Sequence, residues 1–138
     1  MATMLSLGKG LAQAEESYYL ANGSYTVDVN SLDLDVPATC SSLGASTDEE
    51  NPAAQAHWAC GKDFVIELNE NGFINVNYCP NDSAVWDTCH ANRLAQMSFR
   101  LQLFALEGYE GQAGQVICGV YNNSSIGKAI CGGTSRPF

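Results

Sequence analysis

Residues 3–22, TMLSLGKGLAQAEESYYLAN, decide the fold. Leu7, Leu11, Ala14 and Tyr18 fall at i, i+4, i+7 and i+11, which is one apolar stripe along an α-helix. Met4 and Tyr19 flank the stripe, and Gln13, Glu15 and Glu16 are assigned to the opposite side. Asn22-Gly23 supplies the left-handed stop that follows a helix C-terminus. At 1.5 Å per residue such a helix is about 30 Å long. Gly8 and Gly10 each cost about 1 kcal/mol against alanine, so the first turns are expected to be weak, as in the back half of a longer helix.

Beyond the helix the character changes. Residues 24–61 read as a helix-to-sheet connection. Leu32, Leu34 and Val36 alternate there with Asp33 and Asp35, and Pro37 ends the run. Residues 39–57 are small and polar and read as a surface loop, which Cys40 and Cys60 can tether; closing a loop of this length contributes about 3 kcal/mol in the chain-entropy model. Residues 63–69 and 72–78 alternate with period two around Asn69-Glu-Asn-Gly72, a hairpin signal. Residues 80–92 read as a second polar loop, 97–106 as a third strand with Met97, Phe99, Leu101 and Leu103 alternating, and 115–121 as a fourth. The run SIGKAIC, 125–131, reads as a short turn of helix. The expected fold is α+β: one domain over 1–138, with a long N-terminal helix packed on a roughly four-stranded antiparallel sheet spanning 63–121.

Fifteen acidic residues against six Lys and Arg leave a net charge of −9, and the basic residues are scattered singly. Neither a phosphate-tracking nucleic-acid surface nor docking on anionic lipid fits that balance. No apolar stretch reaches the roughly 18 residues of a membrane span. Six cysteines stand at 40, 60, 79, 89, 118 and 131 without any Cys-x2–4-Cys pair. That pattern points to disulfides in an exported protein rather than to a metal centre, with fifteen pairings open. An export segment is therefore expected to have preceded Met-Ala-Thr.

Two stretches carry a family likeness. Ala14-Glu-Glu-Ser-Tyr-Tyr-Leu-Ala-Asn-Gly-Ser-Tyr-Thr26, followed by Leu32-Asp-Leu-Asp-Val36, resembles the helix exit of the type IV pilins and their relatives, the pseudopilins. Cys118-Gly-Val-Tyr-Asn-Asn-Ser-Ser-Ile-Gly-Lys-Ala-Ile-Cys131 looks like a pilin's disulfide-closed final loop. Together they cover about a quarter of the chain. The resemblance implies a filament subunit serving adhesion or motility, whose partners are other pilin subunits. Contact with them, and with the membrane before assembly, would run through an apolar N-terminal helix that the chain lacks. The location it implies is an extracellular fibre or the periplasm. No calcium-loop pattern of the major pseudopilins is evident, which favours a pilus subunit. The pairing Cys118–Cys131 follows from the resemblance, and Cys40–Cys60 and Cys79–Cys89 complete the expected set. Leu7, Leu11, Ala14 and Tyr18 would hold the helix on the sheet.

The competing readings are weaker. His57-x-x-Cys60 and Cys89-His90 contain zinc-ligand types, but their spacing is scattered and a catalytic thiol must be free. Asp28, Asn30, Asp33 and Asp35 with Asp48-Glu-Glu50 contain calcium-ligand types without the EF-hand glycine and closing Glu. Four Asn-x-Ser triplets begin at Asn22, Asn81, Asn122 and Asn123, and in a bacterial protein such matches are mostly chance. Trp58 and Trp86 lie in the two polar loops and are candidates for surface contact. No serine elbow or other catalytic frame appears, so no enzyme activity and no cofactor are expected. The alternative function is a secreted disulfide-rich module binding carbohydrate or protein. Complete reduction is expected to lower the melting temperature by many degrees in a thermal scan; an unchanged transition would refute a disulfide framework.

Overall fold

Helix α1 spans Ala2–Asn22 and remains α-helical through both Gly8 and Gly10. The computed structural model describes residues 2–34, 40–46, 55–60, 63–80, 86–102, 113–133 and 136–137. The helix ends as its sequence requires. Gly23 takes φ +78° and donates its N–H to the Tyr19 carbonyl at 2.7 Å, while the Asn22 amide caps the Tyr18 carbonyl at 3.0 Å. A single 3-10 turn, Val29–Ser31, follows. It is capped by Asp28, whose Oδ1 accepts from the Asn30 N–H and whose Oδ2 accepts from the Ser31 hydroxyl.

The strands are β1 (Ser41–Ser46), β2 (Gln55–Cys60), β3 (Phe64–Asn69), β4 (Phe73–Tyr78), β5 (Ala95–Arg100), β6 (Val116–Val120) and the two-residue β7 (Arg136–Pro137). Among the described residues they form one antiparallel sheet in simple chain order, β1 to β7. Two short helices complete the fold: α2 (Trp86–Asn92) and α3 (Ser125–Cys131). The architecture is therefore α+β, with more strands than the four expected.

The differences have physical causes. β1 lies inside the stretch 39–57 read as a surface loop, and β2 straddles its end, within the 24–61 connection. β1, Ser-Ser-Leu-Gly-Ala-Ser, carries only one large side chain, and β2, Gln-Ala-His-Trp-Ala-Cys, is buried at all six positions. β2 alternates polar and apolar only over Gln55–Trp58 before Ala59-Cys60 breaks the pattern, too short a run to read as a strand. The polar loop 80–92 ends in α2, whose Cys89 is drawn inward by its bridge to Cys79. The third strand stops at Arg100, with Gln102 already in a turn; Leu103 and the rest of that expected strand lie outside the described residues, as do Asp35–Pro37. The hairpin at Asn69–Gly72 is present, with Gly72 at φ +95°.

Register divides the sheet into two unlike faces. Ala56, Trp58, Ile66, Leu68, Ile74, Val76, Met97, Phe99 and Cys118 point to the face carrying α1, which lies over β4 and β5. Met4, Leu11 and Ala14 are buried in that core, and Leu7 and Tyr18 pack against it half-buried. α3 joins the same core through Ile130 and Cys131. It packs so closely that a Cβ on Gly127 would collide with the Leu94 carbonyl.

Gly8 is not merely a weak point of α1. The Phe99 ring occupies the space where its Cβ would stand, so the glycine is a notch that lets the helix settle onto β5. At Gly10 the nearest atom to such a Cβ is Leu34 Cδ1 at 3.6 Å, an ordinary contact. Gly8→Ala is therefore expected to destabilise the domain by about 1–3 kcal/mol through overpacking. Gly10→Ala is expected to stabilise it by about 0.5–1 kcal/mol through helix propensity. Urea titrations of the two variants measure both, and equal effects would mean that Phe99 moves aside freely.

Candidate functional site: the polar face of the sheet

The face of the sheet away from α1 is polar and buried, an arrangement that the alternation in β3 and β4 would ordinarily assign to solvent. Cross-strand register aligns His57, Glu67, Asn75 and Ser98 in one row over β2 to β5. All four are buried, as are the neighbouring Gln55, Asn69 and Asn77. Buried polar groups must find partners, and here they largely find each other. Glu67 Oε1 accepts from the amides of Asn75 and Asn77, each at 3.2 Å. Asn77 also donates to the Val65 carbonyl at 3.1 Å and accepts from the Gln96 amide at 2.8 Å. The Ser98 hydroxyl donates to Asn75 Oδ1 at 2.6 Å, and the Tyr121 hydroxyl donates to Gln96 Oε1 at 3.3 Å.

α2 closes one side of this face. Trp86 stacks on the His57 ring, with centroids 4.0 Å apart and planes 13° from parallel, and lies 5.1 Å from the His90 ring. A small cluster of Val65, Cys79 and Cys89, flanked by Leu43 and Trp86, anchors the helix below. A guanidinium can only donate, so the Arg93 Nη1 contact to His90 Nδ1 at 3.0 Å assigns that ring's proton to Nε2. Arg93 itself lies 4.0 Å over the Tyr121 ring. The Asn122 amide, on a backbone at φ 55°, donates to the carbonyls of Ala91 and Arg93 and ties the end of α2 to β6.

His57 Nε2 stands 3.9 Å from Glu67 Oε2, a histidine–carboxylate pair of the kind used in acid–base work. Ser98 is on β5, with β3 and β4 between it and His57, so these three do not form a nucleophile–base arrangement. All six cysteines are in disulfides, Cys40–Cys60, Cys79–Cys89 and Cys118–Cys131, and none is left as a thiolate ligand. Among the described residues no three His, Cys, Asp or Glu converge on a metal position. Asp28 serves as a turn cap; Asp35 and Asp48–Glu50 lie outside the described residues, as does Asn81.

The two tryptophans do not form a surface pair. Trp58 is buried in β2 on the α1 side, opposite Ile66, because its strand is sandwiched rather than looped out. Its indole N–H has no hydrogen-bond partner among the described residues. Trp86 is half-buried on the other face. A groove of about 580 Å³ lies between Lys9, Gln13 and Ser17 of α1 and the segments that follow β5 and precede β6 at Gln102 and Gln115, with Phe99 among its lining residues. Glu16 bridges that groove by accepting the Gln102 N–H at 2.9 Å.

Sequence reasoning misses the polar row because polar residues at alternate strand positions normally face water. The usable signal is its amide chemistry. Asn75, Asn77 and Gln96 carry both donors and acceptors and are satisfied among themselves, Glu67 and Ser98, where a solvent face would carry Lys and Glu. Sequence reasoning also misplaces Glu15. It stands four residues after Leu11, on the buried side, and is 0% exposed. Its Oε1 accepts the Thr26 N–H at 2.9 Å, while Oε2 is unpartnered. No family model, curated protein or solved structure matches the chain.

Burial raises the Glu15 carboxyl from 4.5 to about 7, against the opposing Thr26 hydrogen bond and with a small push from Glu16. Between those two pH values the folded chain holds a proton that the unfolded chain has released, so stability falls as pH rises through this window and levels off above it. The loss attributable to Glu15 between pH 5 and 8 is about 2–3 kcal/mol. In Glu15→Gln that part of the slope is expected to vanish while the Thr26 bond is kept. Urea midpoints of both proteins at the two pH values test this, and identical slopes would clear Glu15.

Proposed function

We propose that this chain is the globular domain of a structural subunit of a type IV pilus or a related pilin-like filament. The observation that carries the reading is the laying of one long N-terminal helix on an antiparallel sheet whose last strands are locked by the loop closed by Cys118–Cys131. That order of parts, with the acidic and tyrosine-rich exit at Ala14–Thr26, is what the resemblance leads one to expect. Three disulfides suit an oxidising compartment, extracellular or periplasmic. In this reading α1 continues upstream as an apolar helix that packs in the filament core. Its solvent side, Lys9, Gln13, Ser17 and Leu20, then faces neighbouring subunits. Leu20 is 86% exposed, a large apolar side chain open to solvent.

A role as a secreted binding module remains the second reading, and the groove beside α1 is the feature that favours it. The gene upstream of Thr3 separates the two. A short basic leader ending in glycine, followed by a long apolar helix with one acidic residue, is the expected finding. Antibodies to the domain should then decorate surface filaments that vanish when the gene is deleted. An ordinary cleavable signal peptide joined directly to Leu5 would overturn the filament reading.

A further inference from the structure

We propose that Cys40–Cys60 is a reducible clasp that releases the edge strand β1, while the other two disulfides serve as permanent struts. Cys79, Cys89, Cys118 and Cys131 are all wholly buried. Cys40 is only part-buried and stands just ahead of β1, beside the register that pairs Ser41 with Ala59, which makes it the least buried of the six cysteines. Access of this kind separates labile disulfides from structural ones.

The strand it holds has little else to keep it in place. β1 is the outermost strand and pairs only with β2 among the described residues. Residues 41, 42, 44 and 45 are exposed, and Leu43 alone rests against the core. A bulge between Ser42 and Gly44, with Gly44 at φ +108°, interrupts the ladder. β2, by contrast, is buried at all six positions and paired again to β3, so it stays when β1 leaves.

The exchange needs a dithiol reductant, either a small dithiol or an oxidoreductase with a paired thiol. A thiolate attacks Cys40 Sγ, the Cys40–Cys60 bond breaks, and Cys60 leaves as a thiolate that takes up a proton. The reductant's second thiolate then displaces Cys40 from the mixed disulfide, and Cys40 is protonated in turn. The protein gains two electrons and two protons, and the dithiol becomes a disulfide.

The test is graded reduction of the folded domain by dithiothreitol, with iodoacetamide trapping, peptide mass spectrometry and amide hydrogen exchange. Cys40 and Cys60 are expected to be alkylated at least tenfold faster than the other four cysteines. The amides of 41–46 should then lose protection while those of β3, β4 and β5 keep theirs. The double variant C40S/C60S should show the same exchange pattern without any reductant. A single rate for all three bridges would overturn the proposal, as would a β1 still protected after Cys40 and Cys60 are alkylated, or a loss of protection across the whole sheet.

Discussion

The seating of α1 on β4 and β5 is the contact on which the rest of the structure depends. A sheet of this composition has one apolar face, and the helix covers it together with α3 and the segment after α1 that carries Tyr25, Val29 and Leu32. The contact is close because Gly8 removes a side chain where Phe99 needs room. A glycine in a helix is normally a loss of conformational entropy without return. Here the return is the burial of Phe99, at 3% exposure, beside Met97 and Leu101. Once α1 is fixed, its exit is fixed too. Gly23 turns the chain, and Glu15 reaches across to hold Thr26.

The opposite face solves a different problem. Seven buried polar side chains on one surface would be ruinous without partners, and most find them within the face, although Asn69 Nδ2 is left without one among the described residues. Glu67 sits at the centre of the arrangement with two amide donors on one oxygen and His57 near the other. Because donor and acceptor must match across four strands, the network favours one register: a slip of one residue would carry the amides into the apolar core. Its role is then specification of the sheet, with α2 and the Trp86–His57 stack as its lid.

Much of the fold is legible in the sequence. The span of α1, its stop at Gly23, the β3–β4 hairpin and the helical run at 125–131 all follow from periodicity and turn chemistry. What escapes are elements whose signals are contextual. β1 consists of small residues that fit any surface loop, and β2 alternates only over its first four residues, too briefly to announce a strand. Glu15 and Trp58 escape for a shared reason: residue type was read in place of residue position. A carboxylate on the buried side of a helix looks like a solvent residue, and a tryptophan among polar neighbours looks like a loop residue. The amide row on β3 to β5 is legible only as polar, since nothing local says what covers it.

The meander order has a consequence for how the chain acquires its bridges. Each strand pairs with its sequence neighbour, and the three disulfides span 20, 10 and 13 residues in succession, none enclosing or crossing another. Each pair of thiols is thus brought together by contacts local to its own segment, at a small loop-closure cost. Correct oxidation therefore requires no memory of order: any bridge can form first without obstructing the others. Most scrambled pairings must join more distant segments and are disfavoured from the outset; Cys60 with Cys79, 19 residues apart, is the exception. A chain of this kind can mature its thiols piecemeal as it emerges into an oxidising space, segment by segment, with little need of a partner to reshuffle them.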